Sequence, residues 1–412
     1  MSTRYSFPPP GGAPNANSPN PLRPYYTGSD SPLQSYYNST LSSASLEEEL
    51  AAQNEINSQA AAKELASYGL VKYMTLAISA PFEVGQTLLQ VQYLPNDDAA
   101  VLLPPVEGGV WKAVTDLAKH PTEGWMSLWK GQYTNWIHEM LHLVAQPTLE
   151  ATLNDTFDLY DDTIPLVHLD HVGPNIATMV ASHLVIGFIL SPLELVRTRL
   201  IVQTASPLQR KYSGMVNCFT TIIQEEGASA LWGGVNLFPT LIYHILTPLL
   251  SNSIPLVIDR VFKLSAADSP VLYSLAELGL NTIELLIRLP IETVRKRLQL
   301  QIQRKQSSDA ATVKKYHTAV ETRKRPYVGM VDCIYRIIKE EGGHHKRVSR
   351  TTVVKSADGK TQQVITTVVQ RPWYSAWGVR GLYTGLGMHL TTNIGLFAVG
   401  AVTNLQDEGD DW

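Results

Sequence analysis

Six stretches of the chain run apolar for long enough to form helices across a bilayer or through a core. Their bounds are about 68–89, 132–148, 172–193, 227–258, 271–297 and 381–406. Stretches 172–193, 227–258 and 381–406 contain no Asp, Glu, Lys or Arg. A bilayer-spanning helix needs about 20 apolar residues. The segments are interrupted by Gly, Pro, Asn, Thr and His. Small and polar residues suit helices that pack on each other around a polar interior rather than lie alone in lipid. The pattern predicts an all-α membrane protein, a six-helix bundle.

Polar positions at the ends of these segments recur. Pro192, Glu194, Arg197 and Arg199 close the third segment, and Pro290, Glu292, Arg295 and Arg297 close the fifth. Pro81 and Glu83 close the first, with Gln86 and Leu88 where the bases should follow. A threefold internal repeat results, the kind of feature that decides architecture before anything else. A second element has the same period. Tyr212, Gly214, Met215, Cys218, Glu226 and Gly227 match Tyr327, Gly329, Met330, Cys333, Glu341 and Gly342, and Glu123-Gly124 is the first copy. Leu128-Trp129-Lys130-Gly131, Leu231-Trp232-Gly233-Gly234 and Leu382-Tyr383-Thr384-Gly385 end each unit. Short amphipathic helices are predicted over 110–119, 215–226 and 330–341.

The repeat divides the chain. Residues 1–65 form a disordered, partly helical extension, with a helix starting at Ser45 and running toward Leu65. Residues 66–150, 171–262 and 270–405 are the three two-helix repeats, and 406–412 is an acidic, solvent-facing tail. The third repeat carries an inserted loop, 343–380. Within it Thr351 to Val354 and Val364 to Val369 flank Asp358-Gly359 and read as a β-hairpin with a tight turn.

The fifth segment carries Glu277, Asn281, Glu284, Arg288 and Glu292. Steps of four, three, four and four place them on one helical face. In a membrane such a stripe faces protein or water, so Glu277, Asn281, Glu284 and Arg288 are expected to line a polar cavity. Local pairs of Glu284 with Arg288 and of Arg288 with Glu292 are expected along it.

Composition narrows the picture. The 412 residues carry a net charge of −4, with 17% charged and 44% hydrophobic residues. Nucleic-acid binding gains no electrostatic support from this balance. The two cysteines, Cys218 and Cys333, sit at the same repeat position, each packing on its own short helix, so no disulfide framework is expected. The N-terminus has neither a secretory core nor an Arg-rich presequence.

Proline, acid and base in register, followed by the acidic-glycine helix and the Trp-Gly ending, resemble the mitochondrial carrier family from about 68 to 405. The resemblance implies three two-helix modules around a pseudo-threefold axis. It also implies that Glu83, Glu194, Arg197, Arg199, Glu292, Arg295 and Arg297, set by Pro81, Pro192 and Pro290, form a salt-bridge network at one end. The departures are Gln86 and Leu88 in repeat one, and an absent aromatic-acid-base gate on the even-numbered helices. These make the chain similar to the degenerate, fungal carrier-like branch of the outer mitochondrial membrane. That similarity implies a non-transporting, multi-pass scaffold for mitochondrial fusion. Its implied partners are the membrane, a mitofusin-type outer-membrane GTPase and a dynamin-like inner-membrane GTPase. Self-association is left open. No catalysis, cofactor or nucleic acid is implied.

Two rival readings stand beside it. One is an inner-membrane metabolite carrier, supported by repeats two and three. The other, remote, is a membrane zinc metalloprotease, from His138-Glu139-x-x-His142 with Glu150 or Asp170 as a third ligand. Ala145 and Thr148 stand where one extended form of that motif needs Gly and His.

Overall fold

The computed structural model describes residues 43–94, 106, 108–160, 166–169, 171–265, 269–302, 316–341, 346–355, 361–370 and 378–409. The chain separates into two units, Met1–Val71 and Lys72–Trp412. The described part of the first is helix, the start of α1 (Ser43–Val91). The separate helix expected up to Leu65 is continuous with the first apolar segment. The reason is local: no Gly or Pro interrupts the sequence between Ser43 and Tyr68. The disorder expected of the first forty residues lies outside the described residues.

The second unit is built of helices in repeating pairs. After α1 come α2 (Val110–Lys119) and α3 (Gln132–Thr156). The second pair is α4 (Val172–Val202), followed by α5 (Met215–Glu225), α6 (Ser229–Trp232) and α7 (Leu237–Val257). The third is α8 (Pro270–Gln299), α9 (Met330–Glu340) and α10 (Leu386–Gly409). A two-stranded antiparallel ribbon, β1 (Lys346–Lys355) and β2 (Thr361–Gln370), stands between α9 and α10. Its register pairs Lys346 with Gln370 and Lys355 with Thr361, so the expected hairpin is present, with its turn outside the described residues. The helix α10 runs on through Asp407 and Glu408, where a free tail was expected.

Neighbours in sequence are neighbours in space: α3 packs on α4, α4 on α7, α7 on α8 and α8 on α10. From Lys72 onward α1 joins α3 through the Tyr73–Trp136 ring pair, 6.1 Å between centroids. It joins α10 through Gln86 and His389, whose nitrogens lie 2.7 Å apart. The six long helices of this unit thus close a ring.

The repeat prolines lie inside α1, α4 and α8, and each helix continues past its proline. A proline removes one backbone donor and frees the carbonyl four residues earlier. At Pro81 that carbonyl is Ala77 O, taken by the Trp129 indole at 2.9 Å. At Pro192 it is Phe188 O, taken by the Ser191 hydroxyl at 2.8 Å. The Gly131, Gly234 and Gly385 endings share a left-handed backbone, φ 74°, 74° and 95°, that side-chain-bearing residues rarely adopt.

Among the described residues three helical stretches, Val172–Val202, Ser229–Phe262 and Pro270–Gln299, are long and apolar enough to cross a membrane. The bundle's outside is apolar as well. Met74 and Ile78 on α1, Val185 and Ile189 on α4, and Leu272, Ile283 and Ile287 on α8 are exposed. A soluble monomer rarely shows so continuous an apolar exterior, whereas a bilayer covers it.

Two small cores are built from corresponding repeat positions. Val196, Leu200, Tyr212, Cys218, Ile222 and Leu231 form one. Val294, Leu298, Tyr327, Cys333, Ile337 and Leu382 form the other. Both cysteines are free and fully buried, and burial pushes each thiol up to about 12. In the first repeat Gly85 takes the valine position, and a Cβ there would stand 3.0 Å from Val114.

Candidate functional site

The proline, acid and base positions of α1, α4 and α8 come together at one end of the bundle. Arg197 pairs with Glu83, linking α4 to α1. The Nη1 of Arg295 lies 2.6 Å from Glu194 Oε2, linking α8 to α4. The third link, α1 to α8, lacks its base, because Gln86 occupies that position and turns to His389. Lys296 closes the gap. Its Nζ lies 2.7 Å from Glu292 Oε1 and also donates to Gln90 Oε1 at 2.7 Å and Thr87 Oγ1 at 3.2 Å. The pairing of Glu292 with Arg288 expected along the stripe is therefore replaced by Glu292 with Lys296, four residues on.

A second cyclic layer lies beneath. Arg199 pairs with Glu226 of its own repeat, then reaches Gln299 O at 3.1 Å and Gln301 O at 3.2 Å in repeat three. Arg297 pairs with Glu341 and reaches Gln90 O at 2.8 Å and Gln92 O at 3.0 Å in repeat one. The equivalent base of repeat one is missing, since Leu88 is there and packs in the core. Lys130, from the Trp-Lys-Gly ending, takes its place. It pairs with Glu123 and donates to Gln203 O at 2.7 Å in repeat two. Each repeat thus clasps the helix end of the next. Burial pulls the Lys130 ammonium below its ordinary value, against the opposing pull of Glu123.

The floor is completed by residues 316–321. Ala319 donates to Val202 O at 2.8 Å and Tyr93 N to Glu321 O at 2.9 Å. Tyr316 Oη donates to Arg199 O at 2.8 Å. Buried ion pairs of this kind cost desolvation, and each survives because backbone carbonyls take its remaining protons.

Above the ring the interior is polar. Asn135 reaches Glu83 at 3.5 Å, and the Arg295 guanidinium covers the Tyr243 ring at 3.9 Å. His138 and His244 face Glu194 at 3.8 and 3.4 Å. Along α3 and α4 a buried polar seam joins Gln146 to Ser182 at 3.3 Å and Asn154 to Thr178 at 2.6 Å. On α8, Glu284 and Arg288 stand 3.5 Å apart, Asn281 is half-buried and Glu277 is exposed.

The His-Glu-x-x-His spacing does not assemble a metal centre. The His138 and His142 rings lie 6.2 Å apart, and Glu139 is held by Lys72 at 3.1 Å. Among the described residues no group of three His, Cys, Asp or Glu is placed to hold a metal ion. Asp170 lies outside them.

Lys130, Lys296, His244, His389 and Tyr243 were not legible as site residues, and His138 was read from the sequence only as a possible metal ligand. Lys296 is the residue between the two motif bases, and Lys130 belongs to a different motif. Only the closed bundle shows that they fill the places left by Gln86 and Leu88.

Residues 171–249, the second repeat, match the family described as Mitochondrial carrier protein. The chain is 27% identical over 173 residues to solute carrier family 25 member 43 of Mus musculus, covering 41% of this chain and 44% of that protein. It is 24% identical over 267 residues to a mitochondrial nicotinamide adenine dinucleotide transporter of Arabidopsis thaliana, covering 64% and 65%. It is 25% identical over 301 residues to a mitochondrial adenine nucleotide transporter of the same plant, covering 68% and 77%. The first two matches thus span 44% and 65% of those relatives' lengths. The chain is thus similar to mitochondrial carriers in its second repeat and, more distantly, along much of its length, in line with the threefold helical bundle.

Proposed function

We propose that this chain is a solute carrier of a mitochondrial membrane, the reading carried by the ion-pair ring. A ring of links between α1, α4 and α8 closes one end of a polar interior, and each link is an ion pair or a set of hydrogen bonds that solvent can replace. Opening such a ring exposes the interior to that side. Repeat one, which lacks both motif bases, still joins both layers: Thr87 and Gln90 accept from Lys296 of repeat three, and its own Lys130 supplies the clasp. Degeneracy of the motif therefore does not by itself remove the gate.

Two relatives matched along much of the chain are named for NAD and adenine nucleotides, so nucleotides are the first solutes to test. The experiment is uptake of radiolabelled ATP and NAD by vesicles carrying the purified chain, preloaded with the same solutes for exchange. Saturable exchange is expected. Loss of that exchange in Lys296→Met, with the variant still correctly inserted, ties it to the ring. No exchange of either solute, under conditions where a related carrier works, counts against this reading.

A fusion scaffold of the outer membrane is the second reading. It is favoured by the absence of any charge in 381–406, which leaves α10 nothing to offer a second gate of charges. In that reading the GTPases of the two membranes are its partners. Protease access to an N-terminal tag on intact mitochondria separates the two. Cleavage with inner-membrane markers protected supports the scaffold. Protection until the outer membrane is ruptured supports the carrier.

A further inference from the structure

Five histidines lie in the long helices: His138 and His142 on α3, His183 on α4, His244 on α7 and His389 on α10. His389 is engaged by Gln86. Of the other four, His138 and His244 face Glu194, and His142 and His183 continue from His138 as a chain of rings. Glu194 Oε2 lies 3.4 Å from His244 Nε2, and Glu194 Oε1 lies 3.8 Å from His138 Nε2. Both Nε2 atoms are buried and make no well-formed hydrogen bond. His138 Nε2 stands just beyond bonding distance of the carboxylate, and His244 Nε2 is within reach of it but not aligned for a bond.

The groups facing Glu194 come from every helix around it. From α8, Arg295 holds Oε2 at 2.6 Å, with Tyr243 of α7 beneath its guanidinium. On α4 the neighbouring base, Arg197, is turned to Glu83 of α1. From α3, Glu139 stands 3.8 Å from His138 Nδ1 and is itself held by Lys72 of α1. The rings continue away from the ion-pair end. His138 and His142 centroids are 6.2 Å apart, and His142 and His183 are 5.4 Å apart. One water bridges gaps of that size. His183 stands three helical turns before Glu194, about 16 Å along α4 at 1.5 Å per residue.

We propose that Glu194, His138 and His244 form a proton-binding site, that His142 and His183 lead to it, and that solute movement carries a proton. The proposal rests on the carrier reading above. A proton arriving at His183 passes through bridging water to His142 and then His138. It rests on an imidazole Nε2, as an N–H donated to Glu194. The cation formed there competes with Arg295 for the carboxylate, so the α4–α8 link weakens as the proton binds. Release of the proton on the other side restores the link, and no other species is consumed. Ionisable groups inside a membrane bundle, partnered and lined up, are the usual mark of such a path.

Two measurements test it. In vesicles loaded with a pH-sensitive dye, proton influx is recorded during uptake of ATP and NAD. Influx that accompanies uptake, and is lost in His183→Gln and in His142→Gln, supports the proposal. Uptake with no proton movement overturns it and leaves the carrier reading intact. Separately, histidine-selective nitrogen spectra of the full chain in lipid nanodiscs follow the rings through pH. His138 and His244 are expected to titrate as one coupled pair, with His244→Gln altering the His138 curve. Independent titration of the two rings overturns the proton site, whether or not any solute moves. Uptake of neither solute counts against the carrier reading, and the ring titration then still decides the site.

Discussion

At the residue scale, two lysines do work that the repeat assigns to other positions. Lys130 supplies from a loop the charge that Leu88 fails to supply from a helix. Its partner Glu123 is buried, and it also accepts from Thr204 Oγ1 at 2.9 Å and Ala205 N at 3.0 Å. Removing one member of a buried pair leaves the other uncompensated, at about 3–5 kcal/mol. Lys130→Met is expected to lower thermal stability by that order. Leu88→Arg in the same chain should recover part of the loss, because the repeat-two and repeat-three geometry then becomes available. If the double variant is no more stable than Lys130→Met, the equivalence of the three clasps is wrong. A second position is set by space. A Cβ at Gly187 would lie 2.3 Å from His244 Nδ1, so α4 admits the His244 ring only against glycine. Gly187→Ala should displace that ring from Glu194 and cost about 1–3 kcal/mol through overpacking. A melting curve matching the parent's would sink this account.

At the element scale, the short helices α5 and α9 are pinned by their inner faces. Cys218 and Ile222 on α5, and Cys333 and Ile337 on α9, are fully buried, while Val216 and Val331 are exposed. The thiols are sequestered and, with their acidity pushed up to about 12, hold almost no thiolate at neutral pH. Maleimide labelling should therefore be slow and should rise together with opening of these helices. Rapid labelling of both cysteines in the folded protein, read by mass spectrometry, would contradict the packing. Comparing the two rates shows whether repeats two and three open as one unit.

At the scale of the whole molecule, the exterior defines the environment. On α8, Ile283 is 54% and Ile287 40% exposed, while Leu285 and Leu289 are 3% and 0% exposed. Helical alternation at this spacing separates a lipid face from an inner face. Nitroxide labels at Ile283 and Ile287 in vesicles should be accessible to oxygen and shielded from water-soluble nickel reagents. A label replacing Ile287 that meets the nickel reagent freely would show that this face does not lie in lipid.

Much of the architecture was already legible along the chain. Periodic apolar runs, the recurring proline-acid-base triplet and the glycine endings specify six helices and a threefold relation, because those signals are local and repeat. The β-ribbon was legible too, from alternating β-branched residues around a turn dipeptide. Glu83 with Arg197 and Glu194 with Arg295 follow from the repeat once it is closed into a ring. The closure of the third link was not legible. Gln86 and Leu88 read as losses, and only packing brings Lys296 across to Thr87 and Gln90 and Lys130 across to Gln203. Such compensation depends on which side chains of different repeats meet, and sequence spacing carries no record of that. The same holds for the histidines. In sequence His138, His142, His183 and His244 are scattered, and His138 and His142 mimic a metal motif. Helix packing sets His138 and His244 against Glu194 and lines His142 and His183 up behind His138, and that placement decides what chemistry they can share.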